Sequence, residues 1–466
     1  MKKISVQTVV HTALADLYTP VGIYLRLRDR FRDTVLLESS DSHAADNSWS
    51  FIGINAVAGI EVQDFHTVEY KLPLEAPKRV KIGENEKLDE LLWDFMQRFE
   101  CSSDETSASF GKGLYGYSCF ETAAFGEKLD FQDPQMPLAR YRLYQYVIAI
   151  NHHRDELLLI ENRLDGLQSE MDVVESLIRN RDVPQYPFAA LGEQQANMTD
   201  AAFLQLVDKG RASCFRGDVF QVVLSRSYSQ AFNGDDFNVY RALRHINPSP
   251  YLFYFDYGDY RLMGSSPEAQ LVISGRKAVM HPIAGTFRRT GDEGEDRRRA
   301  AALLDDAKEN AEHVMLVDLA RNDLSTVCEE VTVTRFREVQ YYSHVIHLVS
   351  EVSGQLPPAF NPFTVLARSF PAGTLSGAPK IRAMELIASL EPTPRGFYGG
   401  AIGFVGFDGS CNKAIMIRSL LSRDNTLRYQ AGAGVVAASD PQSELQEVDN
   451  KLNALKKAVV MAAGMK

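Results

Sequence analysis

Two periods of apolar and polar residues run through this chain. A spacing of three to four residues recurs in PVGIYLRLRDRFR (20–32) and EKLDELLWDFMQRFE (86–100), which predicts helices, the first entered through Pro20. TVLLES (34–39) and WSFIGINAVAGIEV (49–62) read as strands on either side of the polar loop 40–48. Residues 141–163 read as a hairpin that turns at HHRD, 152–155. A helix and a long strand are predicted over 200–232, and a strand-rich stretch over 251–286 with two-residue turns at Gly258-Asp259 and Gly275-Arg276. A second strand-rich group spans 399–436. Hairpins with inserted helices predict an α+β fold of large antiparallel sheets with helices packed outside. The stretch 180–199 is polar, holds two prolines and shows no period, so a linker is expected at 186–198, between an N-terminal region (1–185) and a C-terminal region (199–466).

Composition changes this picture little. The 466 residues are 45% apolar and 24% charged, which suits a large packed core. The net charge of −11 argues against nucleic acid or an anionic membrane as the main partner. No apolar run is long enough to span a membrane, and the start, MKKISVQTVVHTALADLY, lacks the apolar core of a signal peptide. Five scattered cysteines with no C-x-x-C spacing suit a reducing, cytoplasmic setting with free thiols.

The candidate chemistry is acidic. Glu309 and Glu312 lie three apart in DDAKENAEHVMLVDLARND, and Glu444 and Glu447 repeat the spacing in DPQSELQEVDNKLNALKKAV. Residues three apart share a helix face. In the second segment Leu445, Val448, Leu452, Leu455 and Val459 form an apolar stripe beside Glu444, Glu447 and Lys451, with Asp440 or Ser443 as the cap. Such pairs are either solvated faces or two halves of one Mg²⁺ site, because that ion takes carboxylate oxygens together with an anionic substrate. Thr374, Ser376 and Gly377 look like a turn opening a helix N-terminus, where free N–H groups either bind an anion or are simply capped. Gly432 and Gly434 at a strand end allow close approach, and Arg418 in the apolar run KAIMIRSLL needs an anionic partner. Together these features suggest a small polyanionic carboxylate held with Mg²⁺.

Several long segments, among them GDVFQVVLSR, GSSPEAQL, HPIAGT, KENAEHVMLVDLARNDL, FPAGTLSGAPKIRAMELI and AGAGVVAASDPQSELQEVDNK, occur together in one order. In them the chain resembles the chorismate-utilising enzymes, and among these the large subunits of anthranilate synthase. The resemblance implies that Glu312 and Glu447 bind Mg²⁺, with Glu309 and Glu444 ligating directly or through water. It implies that Gly285, Thr286, Tyr398, Arg418, Gly432, Ala433, Gly434, Thr374 and Lys451 line a chorismate site, Arg418 pairing with the enolpyruvyl carboxylate. Glu268 would be the general acid that protonates the departing C4 hydroxyl, and His347 would serve the elimination of pyruvate. Gln221 and Ala284 stand where the isochorismate-forming and para-aminobenzoate branches carry a reactive lysine, which favours anthranilate formation over the para-aminobenzoate reading. A non-catalytic tryptophan-binding protein is the alternative from another class. Glu38, Ser39, Trp49, Pro250, Tyr251 and Leu252 match an L-tryptophan feedback site. No G-x-C-x-G nucleophile segment occurs, so the resemblance implies a separate glutamine amidotransferase subunit as the ammonia source.

Overall fold

The computed structural model describes residues 3–39, 48–83, 86–103, 105–341 and 345–465. Its strands form two large sheets that share one long ribbon. Trp49–Asp64 pairs from Trp49 to Val62 with Ala139–Asn151, and this ribbon passes through both sheets. From its first half, Val35–Leu37 leads to Tyr251–Asp256, then Tyr260–Ser266, Ser419–Arg423, Thr426–Val435 and Gln221–Gly234. From its second half, Gly113–Ser118 leads to Ala401–Gly406, Cys411–Ile415, Ala269–Ser274, Lys277–Met280 and Val345–Gln355. These pairings are all antiparallel, as the alternation of apolar and polar residues predicts.

That alternation also sorts the layers. Leu252 and Tyr254 face helices on the outside of the first sheet, whereas Phe253 and Phe255 face inward. Ala401 and Val405 of the second sheet pack outward, while Ile402 packs inward. The inward set, with Tyr115, Tyr117, Tyr260, Leu262, Tyr398 and Ile415, fills the space between the sheets. Helices Asp200–Phe215, Phe237–Ile246 and Pro441–Ala463 cover the first sheet, and helices Leu88–Met96, Ala307–Ser325 and Pro362–Ser369 cover the second. The expected α+β class is therefore observed.

The predicted hairpin closes at 152–155, and turns form at Gly258-Asp259 and Gly275-Arg276, where both glycines have positive φ. Other elements differ from the sequence reading. The helix begun at Pro20 ends at Leu27; Arg28 caps it with its N–H still donating to the Tyr24 carbonyl, and its side chain pairs with Asp235 at 2.6 Å. The second helix ends at Met96, and Phe99–Ser102 instead pairs in parallel with the N-terminal strand Ile4–Leu14. The stretch expected as a linker contains Phe188–Ala196, an exposed strand paired with Gln221–Gly234. Backbone pairing at a sheet edge orders it without an apolar face, which is why no period marks it. Strand pairing also crosses the expected division, since Thr34–Glu38 pairs with Tyr251–Asp256 and Gly113–Ser118 with Ala401–Gly406. The loop expected at 40–48 lies, apart from Ser48, outside the described residues. Among the described residues no helix is long and apolar enough to cross a membrane.

Candidate active site

Two connections carry the chain from one sheet to the other, side by side. Glu268 lies on the first, between Tyr260–Ser266 in the first sheet and Ala269–Ser274 in the second. Arg418 lies on the return, between Cys411–Ile415 and Ser419–Arg423. The crossings are tied together: the Ile415 N–H donates to the Glu268 carbonyl at 3.0 Å, and the Ser265 N–H to the Arg418 carbonyl at 3.1 Å. Arg418 has φ +49°, a costly conformation for a side chain of its size. Burial lowers its pKa, against the pull of the Glu268 charge. Among the described residues no hydrogen bond or ion pair engages its guanidinium. A strained, half-buried and unpaired arginine is a ready partner for an anion.

Glu268 is buried, and burial pushes its carboxyl up to about 8, although the Thr374 hydroxyl, Arg418 and Lys451 pull the other way. Thr374 Oγ1 donates to Glu268 Oε1 at 3.1 Å. This corrects the expectation that Thr374, Ser376 and Gly377 open a helix. The helix Lys380–Leu390 starts after Pro379, and Gly377–Ala378 pairs with Gln221 and Val222. The chain must first add that short strand, so the free N–H groups of the helix lie beyond the Thr374 turn.

His347 is buried on the second sheet, with Nδ1 2.8 Å from the Gly285 carbonyl. A carbonyl only accepts, so Nδ1 carries the proton and Nε2 keeps a lone pair. Burial and the Arg418 charge hold the ring down to about 4, against the Gly285 bond, so it is neutral at pH 7. Gly285 has φ +69°, and a Cβ there would stand 3.3 Å from Glu309 Oε2, which brings this strand against the first acidic pair. Thr286 pairs with His347 through the main chain, while its side chain lies outside the described residues.

The facing wall is the strand Thr426–Val435. Gly432 and Gly434 face the space between the sheets: a Cβ on Gly432 would lie 3.0 Å from the Tyr398 hydroxyl, and one on Gly434 2.5 Å from Gln221 Nε2. Ala433 points the other way, into the core under the helices, so only its main chain faces the site. Tyr398 is buried, and burial raises its pKa. Lys451 Nζ donates to the Gly432 carbonyl at 2.9 Å and pairs with Glu447 at 2.7 Å, joining this wall to the second acidic pair.

The two acidic pairs sit in the opening turns of helices Ala307–Ser325 and Pro441–Ala463, and Asp440, not Ser443, caps the latter by accepting from the Ser443 N–H. Three of the four carboxylates are raised, and the Glu447 charge contributes to each. Burial and then the Glu447 charge raise Glu312, burial and the charges of Glu312 and Glu447 raise Glu309, and burial and the Glu447 charge raise Glu444. Lys308 and Lys451 offset part of this repulsion, and Lys308 was not singled out by sequence reasoning because it reads as an ordinary helix-surface lysine. Gln221 Nε2 donates to Glu312 Oε1 at 3.4 Å, and Gln221 Oε1 is buried with no partner among the described residues. Among the described residues no three His, Cys, Asp or Glu side chains are closed into a metal-binding group. An all-oxygen donor set under mutual repulsion at two helix N-termini nevertheless fits a hard divalent cation that keeps several waters.

The residues expected to bind tryptophan lie at one end of three neighbouring strands. Glu38 stands opposite Leu252, and Leu37 opposite Phe51, two residues before Ser39 and two after Trp49. The Glu38 carboxylate accepts from the Tyr240 hydroxyl at 2.6 Å and from Arg244 Nε at 3.0 Å. Trp49 packs against Phe110 with ring centroids 5.0 Å apart. Pro250 and Tyr251 are half-buried. Tyr240 and Arg244 went unrecognised in the sequence because they appear only as one face of an amphipathic helix.

Residues 57–457 match the model of the chorismate binding enzyme family. The chain is 36% identical over 473 residues to anthranilate synthase component 1 of Aquifex aeolicus, covering 96% of this chain and 94% of that protein. It is 38% identical to the protein of the same name from Thermus thermophilus, covering 97% of both. Its fold is similar to that of anthranilate synthase component I from Streptococcus pneumoniae, with TM-score 0.74, 30% identity and coverage of 95% of this chain and 99% of that one.

Proposed function

The chain belongs to the chorismate binding enzyme family, and we propose that it is the large subunit of an anthranilate synthase. In this reading it converts chorismate and ammonia to anthranilate, pyruvate and water, with Mg²⁺ as cofactor. The observation that carries the reading is geometric: two tied crossings set a buried Glu268 carboxyl, whose pKa burial raises, next to Arg418, which has no hydrogen-bond or ion-pair partner among the described residues.

Arg418 holds the enolpyruvyl carboxylate. Glu312 and Glu447, with Glu309 and Glu444 directly or through water, hold the cation, and Lys451 and Tyr398 complete the walls. When bound, Mg²⁺ supplies charge neutralisation for the ring carboxylate. Ammonia forms a bond to C2 as the C4–O bond breaks, and Glu268 delivers its proton so that water, not hydroxide, departs. The new C2 ammonium gives up one proton, replacing the one Glu268 delivered. Nε2 of His347 then takes the C2 proton, and the C3–O bond breaks with its electron pair leaving on the pyruvate enolate. The ring becomes aromatic, and a proton reaches the enolate methylene to give pyruvate. The absence of a glutaminase nucleophile motif supports a separate amidotransferase subunit as the ammonia donor, and the component 1 naming of the relatives supports such a partner. The Glu38–Leu252 end of the first sheet is proposed to bind L-tryptophan as a feedback inhibitor.

The test is the purified chain with chorismate, Mg²⁺ and ammonium. Anthranilate fluorescence and equimolar pyruvate are expected with ammonium and not with glutamine alone. A para-aminobenzoate precursor, or no turnover, would overturn the reading.

A further inference from the structure

A buried ion pair behind the site connects three of its walls. Arg395, only 3% exposed, directs Nε to Glu391 Oε2 at 2.8 Å and Nη2 to Glu391 Oε1 at 2.6 Å. Its Nη1 donates to the Leu375 carbonyl at 2.6 Å, next to Thr374. Its Nη2 also donates to the Val223 carbonyl at 2.7 Å, and Val223 lies opposite Gly434. Glu391 Oε1 in turn accepts from the Ser225 N–H at 2.8 Å and the Ser225 hydroxyl at 2.7 Å, and Ser225 lies opposite Gly432. The Tyr398 N–H donates to the Arg395 carbonyl at 3.2 Å, and the guanidinium lies 5.6 Å from the Tyr398 ring centroid. Glu121 fixes the segment from below, accepting from the N–H groups of Arg395 and Gly396.

We propose that Arg395 and Glu391 are a positioning pair, which sets Thr374 against Glu268 and Tyr398 against the Gly432 strand. A planar guanidinium offers donors in a fixed fork, so one side chain dictates the spacing of the Thr374 turn, the Gln221–Gly234 strand and Glu391. Stability alone is a poor reason for such a pair, since well-packed apolar replacements of buried ion pairs are often neutral or stabilising. Its kinetic consequences rest on the proposed function, whereas its geometric consequence does not.

The test compares wild type, Arg395→Lys and the double variant Arg395→Met/Glu391→Met by crystallography, thermal melts and steady-state kinetics. The double variant is expected to melt below wild type, because the Leu375 and Val223 carbonyls and the Ser225 N–H lose these partners, and to hold Thr374 Oγ1 beyond about 3.5 Å of the Glu268 carboxylate. Its kcat should fall about a hundredfold, the size of effect that an ångström of misplacement produces. If Thr374 keeps its bond to Glu268 and kcat stays within about threefold of wild type, the positioning role is overturned. If wild type makes no anthranilate, the proposed function fails and the Thr374 position alone decides the inference. If the double variant does not fold, Arg395→Lys decides by the same distance, because one ammonium cannot reproduce the fork.

Discussion

Thr374 Oγ1 donates to Glu268 Oε1 at 3.1 Å, so the hydroxyl steadies the ionised form of a carboxyl that burial drives toward the neutral form. Burial wins, which leaves Glu268 protonated up to about pH 8. A general acid works only while protonated and a base only while unprotonated, so kcat should be full between about pH 4, where His347 protonates, and about pH 8, and fall as pH rises through the upper value. Thr374→Val removes a bond that lowers the pKa, so its alkaline limb should move to higher pH. The pH profile of kcat with saturating chorismate, Mg²⁺ and ammonium measures both, and a limb that moves downward would contradict this assignment.

Glu268→Gln keeps the shape and removes the proton. Its kcat should drop about 10²- to 10⁴-fold. Its stability should move the other way. The folded pKa of Glu268 lies above its unfolded value near 4.5, so ionisation costs the wild type stability progressively from about pH 4.5 to pH 8. Thermal melts at pH 5 and pH 8.5 should show the variant gaining on wild type as pH rises.

Parts of this site were legible in the sequence because local chemistry fixes them. Asp440 before Pro441 caps its helix as the residue types require, and the three-residue spacing places Glu444 and Glu447 on one side of it. Gly258 and Gly275 mark turns because those positions need positive φ. What escaped depends on distant partners. Thr374 reads as a cap until the fold sets it against Glu268, over a hundred residues away. Phe188–Ala196 has no apolar face, so nothing in its composition announces a strand. Arg395 looks like any loop arginine until Leu375, Val223 and Glu391 surround it.

The Glu447 charge raises Glu309, Glu312 and Glu444, and a divalent cation should relieve that repulsion. Mg²⁺ at a hundred times its Kd should stabilise the wild type by about 2.7 kcal/mol. Removing the Glu447 charge lowers the pKa of Glu312, so Glu447→Gln should melt higher than wild type without metal and gain much less from Mg²⁺. Equal Mg²⁺ stabilisation of Glu312→Gln, Glu447→Gln and wild type would contradict the shared site.

At the proposed feedback site, Glu38 is held by Tyr240 and Arg244. Glu38→Gln keeps the shape and removes the charge. The concentration of L-tryptophan giving half inhibition should rise at least about tenfold, a change of about 1.4 kcal/mol in binding. An unchanged inhibition curve would place the effector elsewhere.

The most direct test of the account is the position of a bound cation. Crystals soaked in Mn²⁺ with chorismate should show one anomalous peak about 2.1 Å from carboxylate oxygens of Glu312 and Glu447, on the side of the sheets that holds Glu268 and Arg418. No peak there, or a peak remote from both helices, would contradict it.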